Sequence, residues 1–301
     1  MRKLPFIQTS VFTDDRYSFT GNQLATFYDP KANNIKKAEM QGIALEMNFS
    51  ETTFIFDSTQ GCDAKVRIFT PGSELQFAGH PTLGTSFVLK EIGIITKEAK
   101  KGKLELGIGP IAVEFFEDDE IGMYQPKPEF LDKYTNKDNI ARILGIKTEG
   151  IIDEFPMQVV STGFPFLIIP LKSMEILKSI SLNPQLQLEL LSSFKTSKIM
   201  AFTQDTEHSD SHVHSRMFAP SVGVLEDPAT GSAAGPLSAY LDKYQVLSDY
   251  KQGDKIYIEQ GFEINRPSRL VGKVVVKDSE ITNILVSGKV RKTATGEFFL
   301  K

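Results

Sequence analysis

The densest group of residues that could do chemistry lies at residues 226–235. Two adjacent carboxylates, Glu226 and Asp227, stand just before a run of small residues. Small residues let a backbone approach a ligand closely, and the free N–H groups at a helix start bind anions. A helix cap made by Asp227 or Thr230 would explain one or two of these residues. The whole run favours a ligand site.

A second tract earlier in the chain repeats the same pattern. Arg67-Ile68-Phe69-Thr70-Pro71 precedes Gly79-His80, and Arg216-Met217-Phe218-Ala219-Pro220 precedes Gly231-Ser232. The two arginines are 149 positions apart in a chain of 301 residues. The repeat therefore predicts two similar lobes, each with a strand that leads through a turn into a helix beginning at glycine. Two such helix starts facing one cleft would bind a small anionic ligand.

His80 and Ser232 occupy the same place in the two copies. A lone histidine is more often structural than catalytic, but the place of His80 in the repeat favours a functional interpretation. Ser232 lacks the glycines of the Gly-x-Ser-x-Gly pattern, which argues against a serine hydrolase. No P-loop and no glycine-rich dinucleotide fingerprint after a strand occurs in the sequence, so we expect no nucleotide cofactor.

Three further histidines could suggest a metal site. His208, His212 and His214 lie near Glu207 and Asp210, and two of them would share one face of a strand. The stretch around them is polar, however, and no cysteine supports the set. We therefore expect a solvated loop and no metal ion.

The elements that must position these residues mix strands and helices irregularly. Strands are predicted at 7–12, 24–28, 52–56, 64–70, 104–108, 111–116, 157–161, 166–169, 199–202, 213–218, 255–259, 270–276, 281–286 and 297–300. Helices are predicted at 35–47, 81–92, 139–144, 174–180, 186–194 and 231–244. The lack of strict βαβ alternation favours an α+β fold. Two prolines in Gln125-Pro126-Lys127-Pro128 mark the crossing between the lobes.

Composition excludes several classes of protein. A chain of 301 residues exceeds the usual size of a single hydrophobic core, which predicts two domains. A net charge of −4 argues against a nucleic-acid partner. Cys62 is the only cysteine, which indicates a reducing compartment. Neither a signal peptide nor an apolar run long enough to span a bilayer is evident. We expect a cytoplasmic protein without a membrane partner.

Three blocks of the sequence resemble the signature blocks of the PhzF-like phenazine biosynthesis family. They are residues 46–54, 67–84 and 215–236, and the motifs Phe19-Thr20-Gly21-Asn22 and Gln260-Gly261 support the match. The resemblance implies the diaminopimelate-epimerase-like fold. In that fold two pseudo-symmetric lobes each wrap a curved, mostly antiparallel sheet or barrel around a central helix, with the site in the cleft between them. The first lobe would be residues 1–124 with a C-terminal strand at about 289–301, and the second would be residues 125–288.

The resemblance also assigns roles to individual residues. In racemases of this fold a cysteine stands at each helix start, where this chain has His80 and Ser232, so a two-thiolate mechanism is excluded by residue type. By itself Glu51 would be a solvated carboxylate, but the resemblance makes it the acid and base that moves the proton. His80 and Asp227 would hold the hydroxyl and the amine of the substrate and assist proton movement. The implied substrate-binding residues are Ser50, Gly79, Gly231 and Ser232.

The implied activity is that of a cofactor-independent isomerase that acts as a homodimer on a small anionic substrate. The expected substrate is trans-2,3-dihydro-3-hydroxyanthranilate, an intermediate of phenazine biosynthesis. One alternative is a PhzF-like isomerase or epimerase acting on another small amino or hydroxy acid. A second is a binding protein without catalysis. Glu51, His80 and Asp227 together argue against the second, because binding alone does not require a base.

Overall fold

The structure is a computed structural model that describes residues 2–28, 35–278 and 280–300. The chain divides into two compact units. Unit 1 comprises Met1–Met123 together with Ser287–Lys301, and unit 2 comprises Tyr124–Val286. Unit 1 is therefore built from two separate stretches of the chain, whereas unit 2 is continuous.

Strands and helices follow one another without strict alternation, as the α+β prediction requires. The strands are β1 (Arg2–Thr13), β2 (Asn22–Tyr28), β3 (Glu51–Phe56), β4 (Ala64–Phe69), β5 (Glu74–Leu75), β6 (Lys101–Leu106), β7 (Gly109–Phe115), β8 (Glu120–Gln125), β9 (Glu129–Lys133), β10 (Gln158–Ser161), β11 (Pro165–Pro170), β12 (Ile199–Thr203), β13 (Val213–Ala219), β14 (Val224–Asp227), β15 (Lys255–Gln260), β16 (Ser268–Lys277) and β17 (Glu280–Leu300). The helices are α1 (Lys37–Met47), α2 (Gly79–Glu91), α3 (Lys137–Leu144), α4 (Met174–Lys178), α5 (Pro184–Leu191) and α6 (Gly231–Lys243).

Unit 1 wraps its sheet around α2. β1 pairs antiparallel with β2 and with residues 289–300 of β17, and the pairs β3–β4, β6–β7 and β7–β8 are antiparallel as well. The pairs β2–β3 and β4–β6 are parallel. α2 packs against β1, β2, β3, β4 and β6, and ten of its thirteen residues are buried. A helix that is buried on nearly all sides is a core helix. Gly84 allows the close approach, since a Cβ there would lie 2.6 Å from Leu24.

The chain has no tryptophan, and phenylalanine side chains form the aromatic packing in unit 1. The rings of Phe27 and Phe54 stack at 5.2 Å, and Phe54 meets Phe69 edge to face at 5.6 Å. All three side chains are at most 1% exposed and lie in the cluster that covers the inner side of α1. Aromatic pairs of this geometry add stability beyond the area that they bury.

Unit 2 wraps a similar sheet around α6. The pairs β9–β10, β10–β11, β12–β13, β13–β14 and β15–β16 are antiparallel, while β11–β12 and β13–β15 are parallel. α6 packs against β10, β11 and β16. Gly272 of β16 faces Ser238 so closely that a Cβ would collide with the serine hydroxyl, so glycine is required where this strand meets the helix.

Four strands are absent from the sequence-based prediction, namely β5, β8, β9 and β14. Residues 281–286 and 297–300, which the pattern predicts as separate strands, belong to the single strand β17. β5 and β14 are short and polar, so their hydrophobic pattern carries no strand signal. An ion pair with an arginine of the preceding strand holds each of them instead.

These two ion pairs explain the Arg-x-Phe-x-Pro repeat. Arg67 of β4 makes a two-pronged pair with Glu74 of β5 at 2.7 and 2.9 Å. Arg216 of β13 makes the same pair with Glu226 of β14 at 2.9 and 2.7 Å. Such forked geometry fixes the position of the carboxylate and of the backbone that carries it. The arginines therefore hold the two short strands that lead to the helix starts.

None of the helices in the described part of the chain has the length and apolar character that a membrane crossing would require.

Candidate active site

One group of candidate site residues belongs to unit 1 and joins Glu51 to His80. Glu51 is the first residue of β3, and His80 is the second residue of α2. Because α2 packs against β3, the two side chains meet, with His80 Nε2 3.5 Å from Glu51 Oε2. His80 is only 5% exposed, whereas the Glu51 side chain is 16% exposed. The structure thus brings the proposed base together with a buried imidazole.

The protonation of His80 follows from its surroundings. Burial lowers the pKa of His80 to about 3, although a hydrogen bond to the Gln23 backbone opposes this effect. The imidazole is therefore neutral at neutral pH, in spite of the nearby carboxylate. Among the described residues Nε2 has no hydrogen-bond partner, so the bond to Gln23 is made by Nδ1. Since Nδ1 carries the hydrogen, Nε2 presents a lone pair close to Glu51 and can accept a hydrogen bond from that carboxyl group when it is protonated.

The start of α2 provides a group of backbone donors beside this pair. Ala78 occupies the N-cap position in an extended conformation, and the helix start has no side-chain cap. Gly79 follows, and the first turn of α2 carries no acidic residue. The first N–H groups of a helix lack partners within the helix, and their partial positive charge favours an anion. Ser50 precedes Glu51 directly and is partly buried.

A second group of candidate site residues belongs to unit 2 and is formed by the segment between β14 and α6. Asp227 is the last residue of β14 and is 7% exposed. Its Oδ2 accepts a hydrogen bond of 2.5 Å from the hydroxyl of Thr230, which occupies the N-cap position of α6. The alternative explanation of this tract as a side-chain helix cap therefore does not apply, although Thr230 does occupy the N-cap position. Asp227 belongs to a strand, and the Thr230 hydroxyl is directed to Asp227 rather than to the helix.

The start of α6 is consequently without a side-chain cap, as at α2. Gly231 is buried and Ser232 is partly buried. The Gly231 carbonyl accepts a hydrogen bond of 2.8 Å from Gln125 Nε2, which fixes the first turn of the helix. The first turn again contains no acidic residue. Each unit therefore presents one uncapped helix start next to a carboxylate, Glu51 in unit 1 and Asp227 in unit 2.

The expectation of a solvated loop is wrong for His214, whereas His208 and His212 do lie in the loop 204–212, where both are partly buried. His214 lies in β13 and is completely buried between Glu259, 2.9 Å from Nδ1, and Glu263, 3.0 Å from Nε2. His208 Nδ1 contacts the other oxygen of Glu259 at 2.9 Å. The sequence predicts this strand, but all seven residues of β13 are buried, and the carboxylates that accommodate His214 lie 45 and 49 positions further along the chain. Among the described residues, no group of three or more potential ligands is arranged to hold a metal ion.

We expect His214 and His212 to affect stability with opposite pH dependence. Burial alone would lower the pKa of His214, but the carboxylates of Glu259 and Glu263 raise it above its ordinary value. Its stabilising charge is present below the ordinary pKa and is lost as the pH rises through the raised value. Burial lowers the pKa of His212, and its Nδ1 accepts the Tyr257 N–H at 3.0 Å, so protonation at low pH is destabilising.

Urea unfolding between pH 5 and pH 9 tests this difference. The unfolding free energy of the unmodified protein should fall as the pH rises toward 9. This fall should be absent when His214 is replaced by Gln. That loss is at most about 1.4 kcal/mol per pH unit for one proton. Replacement of His212 by Gln should instead remove a loss on the acidic side. The assignment is contradicted if both variants change the same side of the profile.

Comparison with known proteins identifies the family. The family model for phenazine biosynthesis-like proteins, PhzC-PhzF, matches residues 9–296. The chain belongs to the PhzF-like family. It is 34% identical to trans-2,3-dihydro-3-hydroxyanthranilate isomerase of Pseudomonas aeruginosa over 286 residues, which cover 93% of this chain and 94% of that protein. It is also 34% identical to an uncharacterized isomerase of Clostridium acetobutylicum over 292 residues, covering 96% and 95% of the two chains.

The fold agrees with that of solved family members. A crystal structure of the Bacillus anthracis phenazine biosynthesis protein of the PhzF family superposes with a TM-score of 0.90. The two sequences are 28% identical, and the match covers all of both chains. The fold expected from the resemblance is thereby confirmed, and this PhzF-family protein is an isomerase.

Two residues that contact Asp227 in unit 2 are not predicted as site residues. The sequence suggests Thr230 only as a helix cap and Gln260 only as part of a matching motif. Gln260 is completely buried and makes hydrogen bonds to both Asp227 and Thr230. In the sequence, Gln260 is marked only by its place at the end of a predicted strand and by the glycine that follows it. Nothing in this pattern indicates that its partner is Asp227, 33 positions earlier.

Proposed function

We propose that this PhzF-family isomerase converts trans-2,3-dihydro-3-hydroxyanthranilate by moving a proton on its ring, with Glu51 as the acid and base. The observation that carries the proposal is the 3.5 Å contact of Glu51 with the buried Nε2 of His80. A carboxylate beside a neutral imidazole can take up a proton and share it, which simple binding does not require. The relative from Pseudomonas aeruginosa bears this substrate in its name and supports the choice.

In the proposed reaction the Glu51 carboxylate removes the proton from the ring carbon that bears the hydroxyl. The electron pair of that C–H bond shifts the double bonds toward the carbon that bears the carboxylate. Protonated Glu51 then returns a proton to that carbon, so the enzyme ends the cycle unchanged. The enol that results becomes a ketone by a second proton shift. No electron is gained or lost overall, and no co-reactant is needed.

His80 supports this proton transfer through its fixed tautomer. The Nδ1 hydrogen is engaged with the Gln23 backbone, and the Nε2 lone pair is available to the proton held by Glu51. A group that acts first as a base and then as an acid benefits from a partner that stabilises its protonated form. We assign His80 and Asp227 to the hydroxyl and amine of the substrate.

The helix starts supply the recognition of the substrate carboxylate. Gly79, Gly231 and Ser232 stand at uncapped helix starts, and Ser50 lies next to the base. Backbone donors at such positions bind an anion without introducing a mobile charged side chain. The second candidate function uses the same groups on another small amino or hydroxy acid. This second candidate is supported by the similarity to the isomerase of Clostridium acetobutylicum, which is uncharacterized.

Incubation of the protein with trans-2,3-dihydro-3-hydroxyanthranilate in D₂O tests the proposal. We expect the substrate to be consumed and the product to carry deuterium at the carbon next to the carboxylate, as measured by mass spectrometry and proton NMR. A parallel panel of small amino and hydroxy acids is screened for solvent exchange at carbon. No consumption of the named substrate, together with exchange in a panel compound, selects the second candidate. No exchange in any compound contradicts an isomerase that uses Glu51.

A further inference from the structure

Two buried side chains, those of Thr230 and Gln260, make hydrogen bonds that fix the position of Asp227. Thr230 donates its hydroxyl to Asp227 Oδ2 at 2.5 Å, and Gln260 Nε2 donates to the Thr230 hydroxyl at 3.0 Å. Gln260 also contacts the backbone on both sides of this bond, through Asp227 O at 2.7 Å and Thr230 N at 3.2 Å. We call this arrangement the Gln260–Thr230 clamp. All three side chains are at most 7% exposed.

The direction of every hydrogen bond in the clamp is determined. The Thr230 N–H can only donate, so it requires the carbonyl oxygen of Gln260, and the Asp227 carbonyl can only accept, so it requires the Gln260 amide nitrogen. The remaining amide hydrogen therefore points to the Thr230 hydroxyl. Since that hydroxyl oxygen is an acceptor for Gln260, its own hydrogen goes to Asp227 Oδ2. The chain of donors ends at the carboxylate.

The backbone around the clamp is shaped for this contact. Gly261 follows Gln260 with φ +82°, and a Cβ there would lie 2.5 Å from the Pro228 carbonyl. A side chain at this position would push the end of β15 away from the segment that carries Asp227. The Thr230 hydroxyl occupies the N-cap position but does not cap α6. A group that normally stabilises a helix start, worth about 1 kcal/mol, is here directed to a carboxylate.

We propose that Thr230 and Gln260 are positioning residues that hold the Asp227 carboxylate in one orientation for the substrate. The inference rests on the proposed function, in which Asp227 contacts the substrate amine. A donor aimed at Oδ2 fixes the side-chain torsion and therefore the direction in which the carboxylate faces. Preorganised charges are effective because they need no rearrangement during the reaction.

The test compares two buried threonines of unit 2. Thr230→Val removes the hydroxyl that binds Asp227, and Thr196→Val removes a hydroxyl that donates to the Pro165 carbonyl at 3.0 Å, outside the proposed site. Both residues are nearly buried, at 7% and 8% exposure, so the two changes should lower stability to a similar extent. Thr230→Ser keeps the donor and serves as the conservative variant.

We expect Thr230→Val to lower kcat/KM by about ten- to a hundredfold, since a misplaced group in a site costs factors of this size. Thr230→Ser and Thr196→Val should keep kcat/KM within about threefold of the unmodified protein, a change well below that loss. Gln260→Met removes the donor to the Thr230 hydroxyl and should resemble Thr230→Val. Equal losses in Thr230→Val and Thr196→Val, or no rescue by Thr230→Ser, would overturn the clamp.

Failure of the proposed function has a different signature, namely that the unmodified protein does not turn over the substrate. In that case crystal structures of the unmodified protein and of Thr230→Val decide the inference without any substrate. A rotated Asp227 carboxylate in the variant supports the clamp. An unchanged carboxylate position overturns it.

Discussion

Replacement of Glu51 by Gln should lower kcat for the isomerisation about a thousandfold, within the range attributed to a positioned acid or base. Gln has nearly the same shape as Glu but can neither remove nor return a proton. The lone pair of His80 Nε2, 3.5 Å away, would then face an amide in place of the carboxylate. Steady-state kinetics in D₂O would show a loss of product formation together with a loss of deuterium incorporation, while KM changes much less.

Glu114→Gln provides a matched control in the same unit. The Glu114 side chain is 18% exposed, close to the 16% of Glu51, and it pairs with Lys101 at 3.0 Å on the surface of the sheet. An exposed pair of this kind contributes little to stability. We expect Glu114→Gln to retain full activity. Undiminished deuterium incorporation by Glu51→Gln would assign the proton transfer to another residue.

Replacement of Arg216 by Met should destabilise unit 2 by about 3–5 kcal/mol, the range for breaking a buried ion pair. Arg216 is 8% exposed, forms the forked pair with Glu226, and donates to the carbonyls of Leu177 and Ile180 at 3.0 and 3.2 Å. The variant leaves a buried carboxylate and two carbonyls without this donor. Urea unfolding followed by circular dichroism measures the change in unfolding free energy.

The equivalent arginine of unit 1 is the control. The Arg67 side chain is 27% exposed, and Lys37 also lies 2.9 Å from Glu74, so this carboxylate keeps a cationic partner when Arg67 is removed. We therefore expect Arg67→Met to cost roughly 1 kcal/mol, nearer to the cost of an exposed pair. The double variant Arg216→Met/Glu226→Met should recover part of the loss, because removing both partners leaves no unpaired charge. Equal costs at Arg216 and Arg67 would contradict the role of burial.

The features visible in the sequence are those encoded by neighbouring residues. The helix start at Gly231 follows from a run of small residues and agrees with the observed α6. The helix predicted from residue 81 begins two residues earlier, at Gly79, because Pro81 is accommodated in the first turn. The repeat of two similar units follows from the motif around Arg67 and Arg216. Each of these signals is a motif contained in a short stretch of the sequence.

The features hidden in the sequence depend on contacts between distant residues. The approach of Glu51 to His80 requires the packing of α2 on β3, and no spacing rule links these positions. The clamp on Asp227 requires the parallel pairing of β13 and β15 that brings Gln260 into place. The burial of His214 depends on Glu259 from the same pairing. Polar residues at such positions resemble surface residues until their partners are known.

The division of unit 1 into two stretches of chain has a consequence for the order in which the protein matures. β1 pairs with β17 from Arg2 with Leu300 to Thr13 with Lys289, so this strand is synthesised first and waits for a partner made after all of unit 2. Unit 2 is continuous, so all of it is synthesised before residues 289–300, the part of β17 that pairs with β1. During synthesis β1 keeps one open edge, which is a template for wrong pairing. The unit that carries Glu51 and His80 is thus the last to close.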